Sequence, residues 1–274
     1  MSALGRNVAA VHPQSPPDAW QRLRARVSRQ ALSAPRPAAG GLCAFCRGPA
    51  RPGQTRCYRC DLYRECLPGL LPDVVAPVAY AAKGGPHATN LWRYKSGGPG
   101  AAAARHALSA LLLVFLRDHG PCVWRRAGMT GPTRVAVVPS CRGRAGTHPL
   151  QALAAPYLAL PWVRLALARG DDPAARDPDP GRFAAERVTG ASVLLLDDTW
   201  TSGASATSAA AALRLAGARS VAVIVLGRHL DAPAPGRDDR FSPQAMPFRP
   251  GLCAVHPGQP AAGGHAVRSP ARTQ

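Results

Sequence analysis

VLLLDDTWTSGAS, residues Val193 to Ser205, decides how this chain is read. Four consecutive apolar residues, Val193 to Leu196, suit a strand buried on both faces, as in a parallel sheet covered by helices. Two carboxylates follow, Asp197 and Asp198, then a loop rich in hydroxyls and glycine, then an Ala-rich stretch with helical character. In an open α/β sheet, ligands bind beyond the carboxyl ends of the strands. Backbone N–H groups of the loop and of the helix start favour a phosphate dianion. Gly203 allows close backbone approach. Thr201, Ser202 and Ser205 add hydroxyls, and the carboxylates are acceptors suited to a vicinal diol. An ordinary strand-to-helix turn with a capping Asp is the plain alternative. A cap, however, needs neither two carboxylates nor three following hydroxyls. Trp200 reads equally as a packing residue or a ligand contact.

Outward from this segment the chain alternates between strand and helix. Val74–Tyr80, Val135–Val138 and Val221–Leu226 are apolar runs that read as strands. Ala101–Leu116, Leu150–Tyr157 and Ser205–Leu215 read as helices, the first stopping near Gly120. Uninterrupted apolar strands separated by helices predict an α/β fold with a parallel sheet flanked by helices. Val135–Val138 leads into Pro139, Ser140, Cys141, Arg142 and Gly143. Arginine offers a planar fork to phosphate oxygens and glycine lets the backbone come close, so this loop is a second anion-binding candidate. A surface turn in an Arg-rich protein would look similar. The polar segment from Arg169 to Glu186 reads either as a linker or as a loop that closes over a site.

Upstream, Cys43-x-x-Cys46 and Cys57-x-x-Cys60 are separated by ten residues. Two such knuckles can supply four thiolates to one tetrahedral Zn²⁺. Four protein ligands close the shell, so the metal is expected to be structural, and its binding would supply folding energy to a short segment. Gly48 follows the first pair where a knuckle turns. Cys66, Cys122, Cys141 and Cys253 read as spare thiols, and the eight histidines form no ligand cluster by spacing.

The 274 residues suffice for one α/β domain and a small module. The expected boundaries are 1–41, an Arg/Pro-rich disordered N-terminus with one short helix from Asp18 to Ala34; 42–66, a zinc-binding module; 67–230, the sheet domain; and 231–274, a disordered tail. The formal net charge is +19, and all but two of the 34 basic residues are arginine. Either compositional drift or an anionic partner explains that, including nucleic acid bound by the Arg-rich N-terminus. The start has no apolar core segment of a signal peptide, and the longest apolar stretch, Leu108–Leu116, is too short for a membrane span, which needs about 20 residues. The expectation is a cytoplasmic protein with reduced thiols.

The Val193–Ser205 segment resembles the phosphoribosyl pyrophosphate signature of type I phosphoribosyltransferases, with Ser202 and Ser205 in place of threonines. Arg142-Gly143 is similar to the family's pyrophosphate loop. With the preceding cysteine knuckles, residues 42 to 230 resemble the ComF family, and Tyr94-Lys95-Ser96-Gly97 resembles its Lys-Tyr-Gly-type element with the aromatic and lysine reversed. Arg144 to Gln151 departs from the family's Arg-Gly-Phe-Asn-Gln-type stretch. The resemblance implies a type I phosphoribosyltransferase-like sheet behind a zinc-ribbon-like module. It implies phosphoribosyl pyrophosphate bound with Mg²⁺, and transfer of the phosphoribosyl group to an unknown nitrogenous acceptor. Asp197 and Asp198 would hold the ribose. Thr199, Thr201, Ser202, Gly203, Ala204 and Ser205 would hold the 5′-phosphate. Ser140, Arg142 and Gly143 would hold the pyrophosphate. The alternative is a non-catalytic nucleotide sensor or nucleic-acid-associated protein, family members being linked to DNA uptake.

Overall fold

The computed structural model describes residues 17–30, 32–35, 41–140, 146–168, 177–231 and 248–255. Arg142, Gly143, most of the N-terminal 1–41 segment and most of the 231–274 tail lie outside the described residues.

The apolar runs form a four-stranded parallel sheet in the order β1-β6-β5-β2. The strands are β1 (Val74–Ala82), β2 (Arg134–Val137), β5 (Ser192–Trp200) and β6 (Ser220–Leu230). β5 and β6 are central, which is why Val193 to Leu196 and Val221 to Leu226 are almost entirely buried. Helix α6 (Ala204–Leu215) lies on one face of the sheet; α3 (Pro86–Arg93), α4 (Ala101–Arg126) and α5 (Pro149–Ala154) cover the other. Odd-numbered residues of β5, Val193 and Leu195, pack with α6; even-numbered Leu194 and Leu196 pack with α4 and α5. That is the period-2 alternation of a strand between two helical layers.

α4 differs from expectation. It does not stop near Gly120 but runs through Gly120 and Pro121 to Arg126. Proline inside a helix removes one hydrogen bond and costs about 3 kcal/mol. Here Val123 and Trp124, beyond the proline, are buried in the core, and their burial outweighs the local penalty. Gly120 leaves room for the indole of Trp124, which a Cβ would meet at 3.3 Å. Helix α1 (Pro17–Ser28) is shorter than the Asp18–Ala34 expectation. It docks on α4 through Val27, an Arg24–Asp118 ion pair of 2.9 Å, and Arg117 stacked 4.0 Å over Trp20.

β3 (Leu165–Leu167) and β4 (Phe183–Ala185) form an antiparallel pair. Within the expected polar loop, Phe183–Ala185 is therefore a strand, and 169–176 lie outside the described residues. Arg182 and Phe183 are buried, and the Asp179 N–H donates to Ser208 Oγ of α6 at 2.8 Å. Within the expected tail, Cys253, Ala254 and Val255 are buried against the body of the protein. No helix among the described residues is long and apolar enough to cross a membrane.

Candidate functional site

The Val193–Ser205 segment is a strand, a tight loop and a helix start at the carboxyl edge of the sheet. β5 extends further than the apolar run suggests: Asp197, Asp198, Thr199 and Trp200 all belong to it. Thr201 and Ser202 make the turn, Thr201 exposed and Ser202 half-buried. Gly203 precedes α6 at φ 90°, in the left-handed region. Ala204 is buried and Ser205 half-buried in the first helical turn.

Gly203 is required for a reason the sequence did not show. A Cβ there would lie 2.1 Å from the Trp200 ring. The close approach is thus to an indole of the protein itself. Trp200 is a packing residue: it is buried and meets Phe45 edge-on. Ser202 Oγ accepts from the Ala204 N–H at 3.3 Å, and Thr207 Oγ1 donates to Gly203 O at 2.8 Å. These bonds hold the loop in register over the helix start, where backbone N–H groups lack intrahelical partners.

The two carboxylates differ. Asp198 is buried and shares one oxygen between two donors, the Tyr94 hydroxyl at 2.5 Å and Lys95 Nζ at 2.7 Å. Both come from the Tyr94-Lys95 element between α3 and α4, which sequence reading quoted only for its resemblance. Asp197 is half-buried. Burial first, then the adjacent Asp198 charge, pushes its carboxyl up to about 7, against the pull of Lys95.

A cavity of about 580 Å³ opens beyond the end of β2. Lys95, Ser140, Thr147, His148, Trp162 and Arg164 are among its lining residues. Lys95 therefore connects the cavity to Asp198. Ser140, at the mouth of the loop after β2, lines this cavity. His148, Trp162 and Arg164 were missed, because nothing local to them marks a site.

The four knuckle cysteines come together. Their sulfurs lie within 4.8 Å of one another, with Cys46 Sγ 3.8 Å from Cys57 Sγ, so the cluster can hold a metal ion. Cys43, Cys46 and Cys60 are buried and Cys57 is half-buried. Cys57 caps helix α2 (Tyr58–Cys66) and Cys60 sits in its first turn, which presents both thiols at one end. The Cys46 N–H reaches Cys43 Sγ at 3.5 Å and the Gly48 N–H reaches Cys46 Sγ at 3.4 Å. Hydrogen bonding from Cys46, then Cys57 and Cys60, holds the Cys43 thiol well below the usual thiol range. The left-handed turn falls on Arg47, φ 60°, and not on Gly48. Gly48 instead makes room for the Arg228 guanidinium, which a Cβ would meet at 2.2 Å.

This cluster is not a separate body. Cys43, Phe45, Cys46 and Cys60 share a core with α6 and β5. Arg228 of β6 points one nitrogen at Cys46 Sγ, 3.7 Å away, and donates through the other to Trp200 O and Thr201 O at 3.2 and 3.1 Å. The Tyr63 hydroxyl of α2 donates to Ser202 O at 3.2 Å. The cysteine cluster and the Thr201–Gly203 turn are thus braced by the same side chains. No protein-family model matches the chain, and no curated protein matches it.

Proposed function

We propose that this is a phosphoribosyltransferase-type protein that binds phosphoribosyl pyrophosphate with Mg²⁺ and transfers the phosphoribosyl group to a nitrogenous nucleophile. The observation that carries the reading is the placement of Asp197, Asp198 and the Thr201–Ser205 turn together at the carboxyl edge of a parallel sheet, beside a cavity lined by Lys95, Ser140, Thr147 and Arg164. A sugar bearing phosphates at both ends suits hydroxyls and helix N–H groups on one side and basic side chains on the other. The cavity volume fits a ligand of that size.

In this reading Asp197 accepts from the ribose hydroxyls, while Asp198 holds Tyr94 and Lys95 and shapes the same corner. Thr199, Thr201, Ser202, Gly203, Ala204 and Ser205 cradle the 5′-phosphate. Ser140, with Arg142 and Gly143 of the adjoining loop, takes the pyrophosphate. Mg²⁺ enters with the ligand, coordinated largely by phosphate oxygens and water. The chain's contribution is to position both ends of the sugar and to stabilise departing negative charge. The buried, closely spaced thiols of Cys43, Cys46, Cys57 and Cys60 fit a structural Zn²⁺. Together these features keep membership of a ComF-like family as part of the proposal.

Calorimetric titration with phosphoribosyl pyrophosphate and Mg²⁺, then a pyrophosphate-release screen over nitrogenous bases, tests it. Binding with release is the expected result. The substitution D197N should weaken binding about tenfold or more, since a charge-assisted hydrogen bond contributes roughly 1.5–3 kcal/mol. Absence of binding overturns the reading. Binding without release from any base replaces transfer by nucleotide sensing.

A further inference from the structure

His119 and Cys122 lie on α4, and Cys253 lies in the 248–255 segment. His119 and Cys122, three residues apart, share one face of the helix, and nothing along the chain connects them with Cys253. In the folded protein their donor atoms all lie within 4.8 Å of one another. His119 and Cys253 are buried and Cys122 is half-buried.

We propose that His119, Cys122 and Cys253 form a second zinc site, which clasps the 248–255 segment onto α4. Zinc–sulfur and zinc–nitrogen bonds of about 2.3 and 2.0 Å place tetrahedral ligand atoms roughly 3.5–3.8 Å apart. Starting from at most 4.8 Å, the three atoms need to close by no more than about 1.3 Å to meet that geometry.

The histidine is held as a metal ligand is held. Its Nε2 lies 2.7 Å from Pro250 O. A carbonyl only accepts, so Nε2 carries the proton, and in a neutral ring that tautomer puts the lone pair on Nδ1, which the proposal takes as the ligand atom. A carbonyl bonded to the outer ring nitrogen is the contact that fixes tautomer and ring angle in metal-bound histidine. Phe115 fixes the ring from the side, with centroids 5.4 Å apart. Chance packing of two thiols beside an imidazole would not require this orientation.

The charge balance also suits burial. On binding, each thiol loses its proton to solvent, and two thiolates with one neutral imidazole cancel the charge of Zn²⁺. A neutral site in an apolar setting has a low desolvation cost. One nitrogen and two sulfurs favour zinc over hard cations such as Mg²⁺. Three protein ligands would leave a fourth position for water.

The clasp reaches further. Ala254, next to Cys253, accepts from Arg47 Nε at 2.8 Å, and Arg47 belongs to the first cysteine knuckle. Pinning Cys253 to α4 therefore also seats a strap across the knuckle.

The test is metal content by elemental analysis on the full chain, purified under reducing conditions. Wild type should carry one zinc per chain more than C122A/C253A, with an unchanged far-UV circular dichroism spectrum in the variant. Equal zinc in the two proteins overturns the proposal, as does a Cys122–Cys253 disulfide in the protein as isolated. The difference, not the total, is read, so a failure of the four-cysteine site would not be mistaken for a failure of this one. Cobalt reconstitution of wild type gives a second reading that does not depend on a variant folding. A mixed nitrogen–sulfur cobalt spectrum besides the four-sulfur one supports the site. A four-sulfur spectrum alone overturns it.

Discussion

Phe45 and Trp200 meet edge to face, their ring centroids 6.2 Å apart and their planes at 67°. Phe45 stands between the two cysteines of the first knuckle, and Trp200 is the last residue of β5 before the Thr201–Gly203 turn. The pair joins the cysteine cluster to the candidate phosphate loop through one packed contact. Phe45→Ala should destabilise the protein by about 3 kcal/mol, the low end for phenylalanine truncation in a core. Chemical denaturation measures this. A cost near zero would mean that cluster and loop are packed independently.

Gly203 sits under the Trp200 indole at φ 90°. Gly203→Ala meets two penalties: left-handed backbone, about 1–2 kcal/mol, and overpacking against the ring, typically 1–3 kcal/mol. The expected outcome is a loss of roughly 2–5 kcal/mol, together with weaker phosphoribosyl pyrophosphate binding because the turn must move. Denaturation and titration calorimetry on the same variant read both.

Lys95 and Tyr94 share a single oxygen of buried Asp198. Lys95→Met leaves that carboxylate without its counter-ion and should cost about 2–3 kcal/mol, below the range for a fully buried pair because Lys95 is partly exposed. Adding Asp198→Asn should recover part of the loss, and a double-mutant cycle isolates the coupling. Additive losses would show that the pair contributes no coupling energy.

Asp197 gives a pH signature. Its folded-state carboxyl is pushed up to about 7 from an ordinary 3.8, chiefly by burial. Between those values the folded state holds a proton that the unfolded state has lost. Stability should therefore fall as pH rises through this window and level off above about 7. Asp197→Asn should remove this component of the slope. Affinity for a ribose diol should rise as pH passes about 7, where the carboxylate forms. Thermal melts and titrations across pH check both. A variant with the wild-type slope would place the titrating group elsewhere.

Much of the architecture was legible locally. Val193 to Leu196 and Val221 to Leu226 announce central parallel strands, because a strand buried on both faces must be apolar at every position. The two Cys-x-x-Cys pairs announce a cluster, because a knuckle is a local turn that aims both thiols one way. Helix α4 was legible only to Leu116. Gly120 and Pro121 are local stop signals, and burial of Val123 and Trp124 overrode them.

The sequence by itself determined what is carried by short-range pattern: the four apolar strands of the parallel sheet and the helices α4, α5 and α6 between them, the acidic pair followed by a hydroxyl-rich turn, and the four-cysteine cluster. Only the tertiary structure decided what depends on contacts between distant segments. The Tyr94 hydroxyl reaches Asp198 across 104 residues, Arg228 reaches Cys46 across 182, and His119 and Cys122 meet Cys253 in a stretch that composition alone presents as tail. The reason is physical. Periodicity and turn chemistry act over one or two turns of chain and leave a mark in adjacent residues. Which polar group is paired once apolar faces close over it depends on the packing of the whole core.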